Sequence, residues 1–243
     1  HRIGYFTFFL QRIMNLTTKQ CIIEGNNEFN CAFRYGVDNM SNISFISCMT
    51  MLYNYNNNQE EDIKFKKFLS TSKFQDLLVE NISLDNFIKY QNGNLIKIFY
   101  TDNKVNTEEI SNDIKSTKVY KLLNNNNTSN LLNEIVSSYM NYKDYLKSEN
   151  EIIDHQYIWD YMCDKKIFTS GLNIIILEYD DTTQDVINLY CPTNAYSNNY
   201  FDNKKPTIIL FKKDLHYKII CNLYRETGEK TKQQLEMFFS NID

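Results

Sequence analysis

Four short apolar segments in the last third of the chain are the feature that most constrains its fold. Residues 172–177 form a continuous apolar run of strand length, typical of a central strand covered on both faces. Three similar segments follow, at 186–190, 207–211 and 216–223. Pro206 precedes the third of these, at a position where it need not donate a ladder hydrogen bond. The end of the chain is therefore predicted to form a β-sheet.

The preceding part of the chain has helical periodicity. A helix is predicted to begin near Ser44, with Asn42 suited to cap it. Its apolar residues keep the i, i+3, i+4, i+7 spacing of one helix face, and they are Phe45, Cys48, Met49 and Leu52. Two or three further helices are predicted within 60–90, and one each near 129–147 and 153–164. Helices first and strands last predict an α+β domain, with N-terminal helices and a C-terminal mixed β-sheet.

Other segments carry weaker patterns. We expect a short helix over 5–15, a strand at 21–24, and an extended segment at 95–99 after the turn signal Asn92-Gly93-Asn94. Residues 101–130 are polar and rich in Asn, which predicts a mobile insertion at the surface of a single domain spanning 1–243. Because the chain opens at His1 in what reads as mid-domain sequence, we expect it to be a fragment of a longer protein.

Composition excludes several classes of function. The 243 residues are 42% hydrophobic and include only two prolines, which favours a folded chain. The net charge of −4 argues against a nucleic-acid-binding domain, since such domains need Lys and Arg to neutralise phosphates. The apolar run at 5–10 is far shorter than the roughly 20 residues that a membrane span requires. We therefore expect neither nucleic acid nor a membrane as partner.

The cysteines and histidines do not form a metal-binding pattern. None of the six cysteines belongs to a Cys-x-x-Cys pair, and the three histidines do not cluster with them. Most of the cysteines have apolar neighbours, which is typical of buried, reduced side chains. No metal or other cofactor is expected, and a reducing, cytoplasmic setting is the default.

Two distant segments contain residues of types that hydrolases use. Ser44 is predicted at a helix N-terminus, where exposed amides and the helix dipole favour a nucleophile and hold an oxyanion. His216 is predicted on a late strand, from which a histidine can take the proton of a nucleophile. Asp214 points the same way along that strand and is placed to orient the histidine, and Asp38 lies in the loop before the helix.

These segments resemble the nucleophile motif and the late strands of papain-like hydrolases of the ovarian-tumour (OTU) type. The stretch from Val37-Asp38 to Ile43–Cys48 is similar to the family's Asp-Gly-x-Cys motif, and His216-Tyr217 to its His-Tyr ending. The resemblance implies a papain-like fold in which Ser44, His216, Asp214 and Asp38 form the site. The chain departs from the motif because Ser44 stands where the family has its nucleophilic Cys, and the loop before it is longer and lacks the family's Gly.

These departures imply a catalytically silent OTU-like module with an interaction or structural role. One alternative is an active ubiquitin-directed hydrolase that uses Ser44, or a cysteine aligned differently, with His216 and Asp214. The chain also resembles segments of large proteins of nucleocytoplasmic giant DNA viruses, for example in Arg34–Val37 and Cys191–Asn194. That resemblance implies the host cytoplasm or the virion as the setting, and ubiquitin or other viral proteins as partners. A structural component of the virion is a further alternative.

Three of these residues also have ordinary structural interpretations. Ser44 has the character of a helix cap or first-turn residue. Cys48 lies on the apolar face of the predicted helix and is expected in the core. His155 follows Asp154 at a predicted helix start and is expected to be a solvated first-turn residue.

Overall fold

The fold is α+β, with helices preceding most of a mixed β-sheet. A computed structural model describes residues 2–5, 31–37, 41–57, 68–102, 110–125, 129–180, 186–192, 198–226 and 232–240. The helix predicted over 5–15 and the strand predicted at 21–24 lie largely or wholly outside the described residues.

Eight α-helices occur in the described part of the chain. They are α1 (Ser44–Asn57), α2 (Thr71–Asn81), α3 (Leu84–Phe87), α4 (Asn94–Phe99), α5 (Asn112–Ser116), α6 (Lys118–Asn125), α7 (Ser129–Lys147) and α8 (His155–Cys163). The helices predicted to begin near Ser44 and at 129–147 and 153–164 are confirmed as α1, α7 and α8. None of the helices in the described ranges combines the length and the apolar character that a membrane crossing requires.

Seven strands of the described chain form one mixed sheet. They are β1 (Arg2–Tyr5), β2 (Cys31–Gly36), β3 (Asn173–Asp180), β4 (Val186–Tyr190), β5 (Thr207–Lys213), β6 (His216–Glu226) and β7 (Lys232–Glu236). The order across the sheet is β1-β2-β6-β5-β3-β4, and β7 pairs with the last part of β6. β3 and β5 run parallel, and the other pairs are antiparallel. The four predicted C-terminal strands are confirmed as β3 to β6.

The position of the His216 strand differs from the layout expected for a papain-like domain. For this chain, the resemblance predicts His216 on a strand directly beside the one at 173–177. Instead β5 lies between β3 and β6. β5 and β6 form a hairpin whose turn is Asp214-Leu215, and β3 pairs with the other edge of β5.

The two faces of the sheet contribute to different clusters because side chains alternate along each strand. Ile174, Leu210 and Ile219 belong to the main core, together with buried residues of the helices. Their neighbours Leu177, Phe211 and Ile220 face the other way and belong to a second, smaller cluster that also contains Ala32. The helical layer therefore covers one face of the sheet.

The segment predicted to be extended at 95–99 is instead the helix α4. Leu95 is fully buried, and Phe99, one turn later, packs against Tyr142 of α7 with ring centroids 5.0 Å apart. Asn141 of α7 donates to the carbonyl of Phe99 at 2.8 Å and so satisfies the end of the helix. The prediction was wrong because an apolar run this short fits a strand or a helix equally well.

The described part of the segment 101–130 is helical and packs on the domain, and it is not an extended surface arm. Ile110 and Ile114 are buried in the main core, Ile114 lies in α5, and α6 follows. The carboxylate of Asp85 accepts the main-chain N–H groups of Lys118 and Val119, at 3.1 and 2.9 Å. An acidic side chain from outside the segment thus caps α6 at its N-terminus. Because Asp85 lies outside the segment, the sequence of the segment alone does not reveal this stabilising contact.

A left-handed turn before α4 is held by a buried carboxylate. Gln91, Asn92 and Gly93 have φ values of 49°, 54° and 85°, so two residues with side chains adopt a conformation that favours glycine. Asp160 of α8 is buried, and its Oδ2 accepts the Gln91 N–H at 2.7 Å. Its Oδ1 has no hydrogen-bond partner within the described ranges. Burial raises the pKa of Asp160 to about 6, although the bond from Gln91 opposes the shift.

We expect Asp160→Asn to stabilise the protein at neutral pH, because the amide oxygen can still accept the Gln91 N–H without carrying a charge. The folded state retains the Asp160 proton up to about pH 6, whereas the unfolded chain releases it near pH 4. This group therefore stabilises the fold at low pH, and its contribution is lost as the pH rises between these values. The gain from the substitution should grow by about 3 kcal/mol from pH 4 to pH 7.

Chemical denaturation of both proteins across this pH range measures the effect. Both contain the other titrating groups, so the difference between them isolates Asp160. Asp144→Asn at an exposed site of α7 is the control and should leave the two curves parallel. A stability difference for Asp160→Asn that does not change with pH would contradict the account.

Candidate functional site

The N-terminus of α1 is anchored by contacts with distant parts of the chain. The carbonyl of Asn42 accepts the N–H of Ile153, just before α8, at 2.9 Å. The side-chain amide of Asn42 donates to the carbonyl of Glu149 in the same connection. The residues just before α1 are therefore hydrogen-bonded to the segment that leads into α8. α1 itself starts at Ser44, next to the sheet.

The Ser44 hydroxyl is part of the hydrogen bonding of the sheet. Ser44 is 1% exposed, and its Oγ accepts the main-chain N–H of Tyr217 at 2.8 Å. The same hydroxyl lies 3.4 Å from the carbonyl oxygen of Tyr217, a longer contact. β2 ends at Gly36, opposite Lys218, so β2 does not extend alongside Tyr217. Ser44 thus bonds the backbone of β6 beyond the end of the neighbouring strand.

The side chain of Tyr217 extends this contact to α8. Tyr217 is buried, and its hydroxyl lies 2.7 Å from Nδ1 of His155, the first residue of α8. Its ring also meets Phe45 edge to face, with centroids 5.2 Å apart. Burial raises the pKa of Tyr217, so the phenol keeps its proton. The starts of α1 and α8 and the start of β6 meet at one buried cluster, formed by Ser44, Phe45, His155 and Tyr217.

His155 is a buried, neutral member of this cluster. Its side chain is 1% exposed, and burial lowers its pKa to about 4, with the charge of Asp154 opposing the shift. Asp154 also caps α8 by accepting the N–H of Gln156 at 2.8 Å. The prediction of a solvated His155 is wrong. The apolar residues three and four positions later, Ile158 and Trp159, were the signal that this helix position faces the core.

The predicted site residues that the structure describes fall in two different environments. Ser44 is in the buried cluster. His216 is exposed and pairs with Lys213 across the hairpin, and Asp214 is exposed in the turn with a φ of 55°. Asp38 lies outside the described residues. Because side chains alternate along a strand, His216 points to the sheet face opposite to that of Tyr217. The structure therefore brings Ser44 to the main chain of the His216-Tyr217 pair, but it does not bring the two side chains together.

Cys48 is a core residue, as predicted. It is fully buried one turn into α1, and burial raises the pKa of its thiol far above the usual range, so it remains protonated. Cys163 and Cys221 are also buried, free thiols whose pKa values are raised mainly by burial. In the described part of the chain, no group of three or more His, Cys, Asp and Glu residues is arranged to hold a metal ion.

Comparisons of this chain with protein families, with curated proteins and with solved structures find no match. The α+β architecture therefore stands on the structure alone, and the relation to OTU-type hydrolases stays a prediction from sequence.

We expect Ser44→Ala to destabilise the protein by about 1–3 kcal/mol, because it leaves the buried N–H of Tyr217 without its acceptor. Ser47→Ala is the matched control on the same helix. Among the described residues, the hydrogen-bond partner of the Ser47 hydroxyl is the half-buried Thr71 hydroxyl, at 3.4 Å, which lies where water can replace Ser47. The control should cost about 1 kcal/mol or less. Urea denaturation of the three proteins measures both changes, and equal losses in the two variants would contradict the role assigned to Ser44.

Proposed function

We propose that this chain is a catalytically silent, papain-like module of the OTU type that acts by binding another protein. The observation that carries the proposal is the state of Ser44, the residue at the nucleophile position of the resemblance. It is 1% exposed, and its Oγ is engaged by the N–H of Tyr217 at 2.8 Å.

The start of α1 against β6 supports the papain-like part of the proposal, whereas the position of β5 between β6 and β3 departs from it. Such hydrolases set the nucleophile at the start of a buried helix, next to a late strand that carries the histidine. In this chain α1 begins at Ser44 and contacts the start of β6, where His216-Tyr217 stands. The helix start and the strand start that the resemblance assigns to the site are therefore neighbours, although their side chains are not arranged for catalysis.

The chemistry of the buried cluster supports the absence of catalysis at Ser44. A serine hydroxyl is a weak nucleophile and needs a well-placed base. His216 faces away from Ser44, and Nδ1 of the buried His155 is bonded to the Tyr217 hydroxyl instead. A substrate carbonyl must also approach the attacking oxygen to about 3–3.5 Å, which a side chain this buried does not permit. Cys48 is deeper still, and its thiol is protonated.

The setting of the proposal rests on the sequence resemblance alone. That resemblance favours a module within a larger protein of a giant DNA virus, acting in the host cytoplasm or the virion. Its partner is then ubiquitin or another viral protein. A module of this kind retains a fold whose original chemistry has been replaced by a structural contact.

A ubiquitin probe with a thiol-reactive warhead tests the silence of the site. We expect no labelling of the protein and no cleavage of ubiquitin chains. Ser44→Cys is the informative variant because it restores the thiol at the position where the family has its nucleophile. We expect it to remain unreactive as well, since the position is buried and lacks a base.

Labelling of any native cysteine that is abolished by His216→Ala would overturn the proposal. So would cleavage of ubiquitin chains by the unmodified protein. Either result would identify a working hydrolase.

A further inference from the structure

β4 forms one edge of the sheet, and no other described strand pairs with its outer side. Its inner side is paired with β3, from Val186 opposite Asp180 to Tyr190 opposite Ile176. An edge strand presents main-chain N–H and C=O groups that can pair with another strand. The outer side of β4 is therefore a place where a further strand can be added to the sheet.

The sequence of β4 does not protect this edge. Folded proteins usually blunt an edge strand with charged residues, a proline or a bulge. β4 reads Val-Ile-Asn-Leu-Tyr, and its register with β3 continues over all five residues without a bulge. β1, the strand at the opposite edge of the sheet, begins with Arg2. β4 thus lacks the features that discourage association between strands.

Two apolar side chains of β4 are well exposed. Leu189 is 61% exposed and Val186 is 45% exposed. Leu189 lies opposite the buried Leu177, so it shares the sheet face of the second cluster, to which Ile187 also belongs. The apolar surface of that cluster therefore continues to the edge of the sheet, where covering it would remove it from water.

We propose that β4 pairs with β4 of a second copy of this chain, antiparallel and with two-fold symmetry about Asn188. In this register Ile187 of each copy lies opposite Leu189 of the other, and Val186 lies opposite Tyr190. Paired residues share a face, and alternation along β4 gives each of these pairs the same face in both copies. Every pair except the central one is apolar, and the two sheets become one continuous sheet.

The charges around the edge suit a second copy. β4 itself carries no charge, so pairing it with itself brings no like charges together. In β3, Glu178 lies opposite Asn188, close to the two-fold axis. Its carboxylate is paired with Nζ of Lys212 at 2.7 Å and accepts the Tyr190 hydroxyl at 2.7 Å. Two copies can therefore approach without repulsion between their Glu178 carboxylates.

The geometry of the contact limits its size and strength. Both copies use the same edge, so the assembly closes as a dimer and leaves no second β4 edge for further growth. Five residues from each copy take part, whereas a standard interface uses about 20–30 residues a side. We therefore expect a weak dimer, with a dissociation constant on the order of 10–100 μM.

This inference goes beyond the proposed function and does not depend on it, because the contact uses neither Ser44 nor β6. A protein that stayed monomeric would leave the silence of the site intact. Cleavage of ubiquitin chains would overturn the proposed function and leave the dimer intact.

Analytical ultracentrifugation from about 2 to about 500 μM tests the proposal, since this range brackets the expected dissociation constant. We expect the mass to rise from that of the 29.0 kDa monomer toward twice that value. Leu189→Lys should weaken association about tenfold or more, because pairing would bury a charge in an apolar row. Leu122→Lys is the matched control, since Leu122 of α6 is 63% exposed and the change in charge is the same. The control should associate like the unmodified protein.

A cysteine at the two-fold axis tests the register. The two copies of residue 188 would have Cα atoms about 4.5–5.5 Å apart, a separation that a disulfide spans. Asn188→Cys should therefore give a disulfide-linked dimer under mild oxidation, seen on a non-reducing gel. Asn130→Cys, at an exposed site of α7, is the control and should give no more of this dimer than the unmodified protein.

Three results would overturn the proposal. The first is a monomer at every concentration, and the second is equal association of the Leu189→Lys and Leu122→Lys proteins when both keep the circular dichroism spectrum of the unmodified protein. The third is no more cross-linking in Asn188→Cys than in Asn130→Cys. Assemblies larger than a dimer would also contradict it, because they require a second edge.

Discussion

The hydrogen bond between the Ser44 hydroxyl and the main chain of Tyr217 is the contact on which the arrangement of this domain depends. It joins the first residue of α1 to β6 where β2 no longer runs beside that strand. The hydroxyl of Tyr217 is in turn hydrogen-bonded to His155, the first residue of α8. One serine therefore links the starts of two helices to the sheet. A side chain used in this way is engaged by the main chain, so the same bond stabilises the domain and supports the proposal that the site is silent.

His216 and Tyr217 are adjacent on β6, and their side chains therefore point to opposite faces of the sheet. Tyr217 enters the buried cluster, whereas His216 is exposed and pairs with Lys213 on the opposite side. A shift of one residue in register would exchange the two side chains. Pairing of β6 with β5 and with β2 fixes this register from both edges. Adjacent residues of one short motif thus serve different surfaces of the molecule.

The sequence predicted those elements whose stabilisation is local. The apolar run at 172–177 and the helical spacing after Ser44 are long enough to identify a strand and a helix. The burial of Cys48 followed from the same spacing. Elements stabilised by distant residues were not predictable in this way. α6 depends on a carboxylate from Asp85, and α4 depends on Asn141, so neither contact is visible in the segment itself. The position of β5 between β3 and β6 is likewise a matter of long-range pairing.

Residue-resolved amide hydrogen exchange at Tyr217 tests the central claim most directly. If Ser44 is the acceptor of this N–H, the amide is protected in the unmodified protein and exchanges at least about tenfold faster in Ser44→Ala, because its opening no longer breaks a hydrogen bond. The amide of Ile219, two residues along the same strand, should keep most of its protection. Equal exchange of the Tyr217 amide in the two proteins would contradict the account, because Ser44 would then not hold this strand.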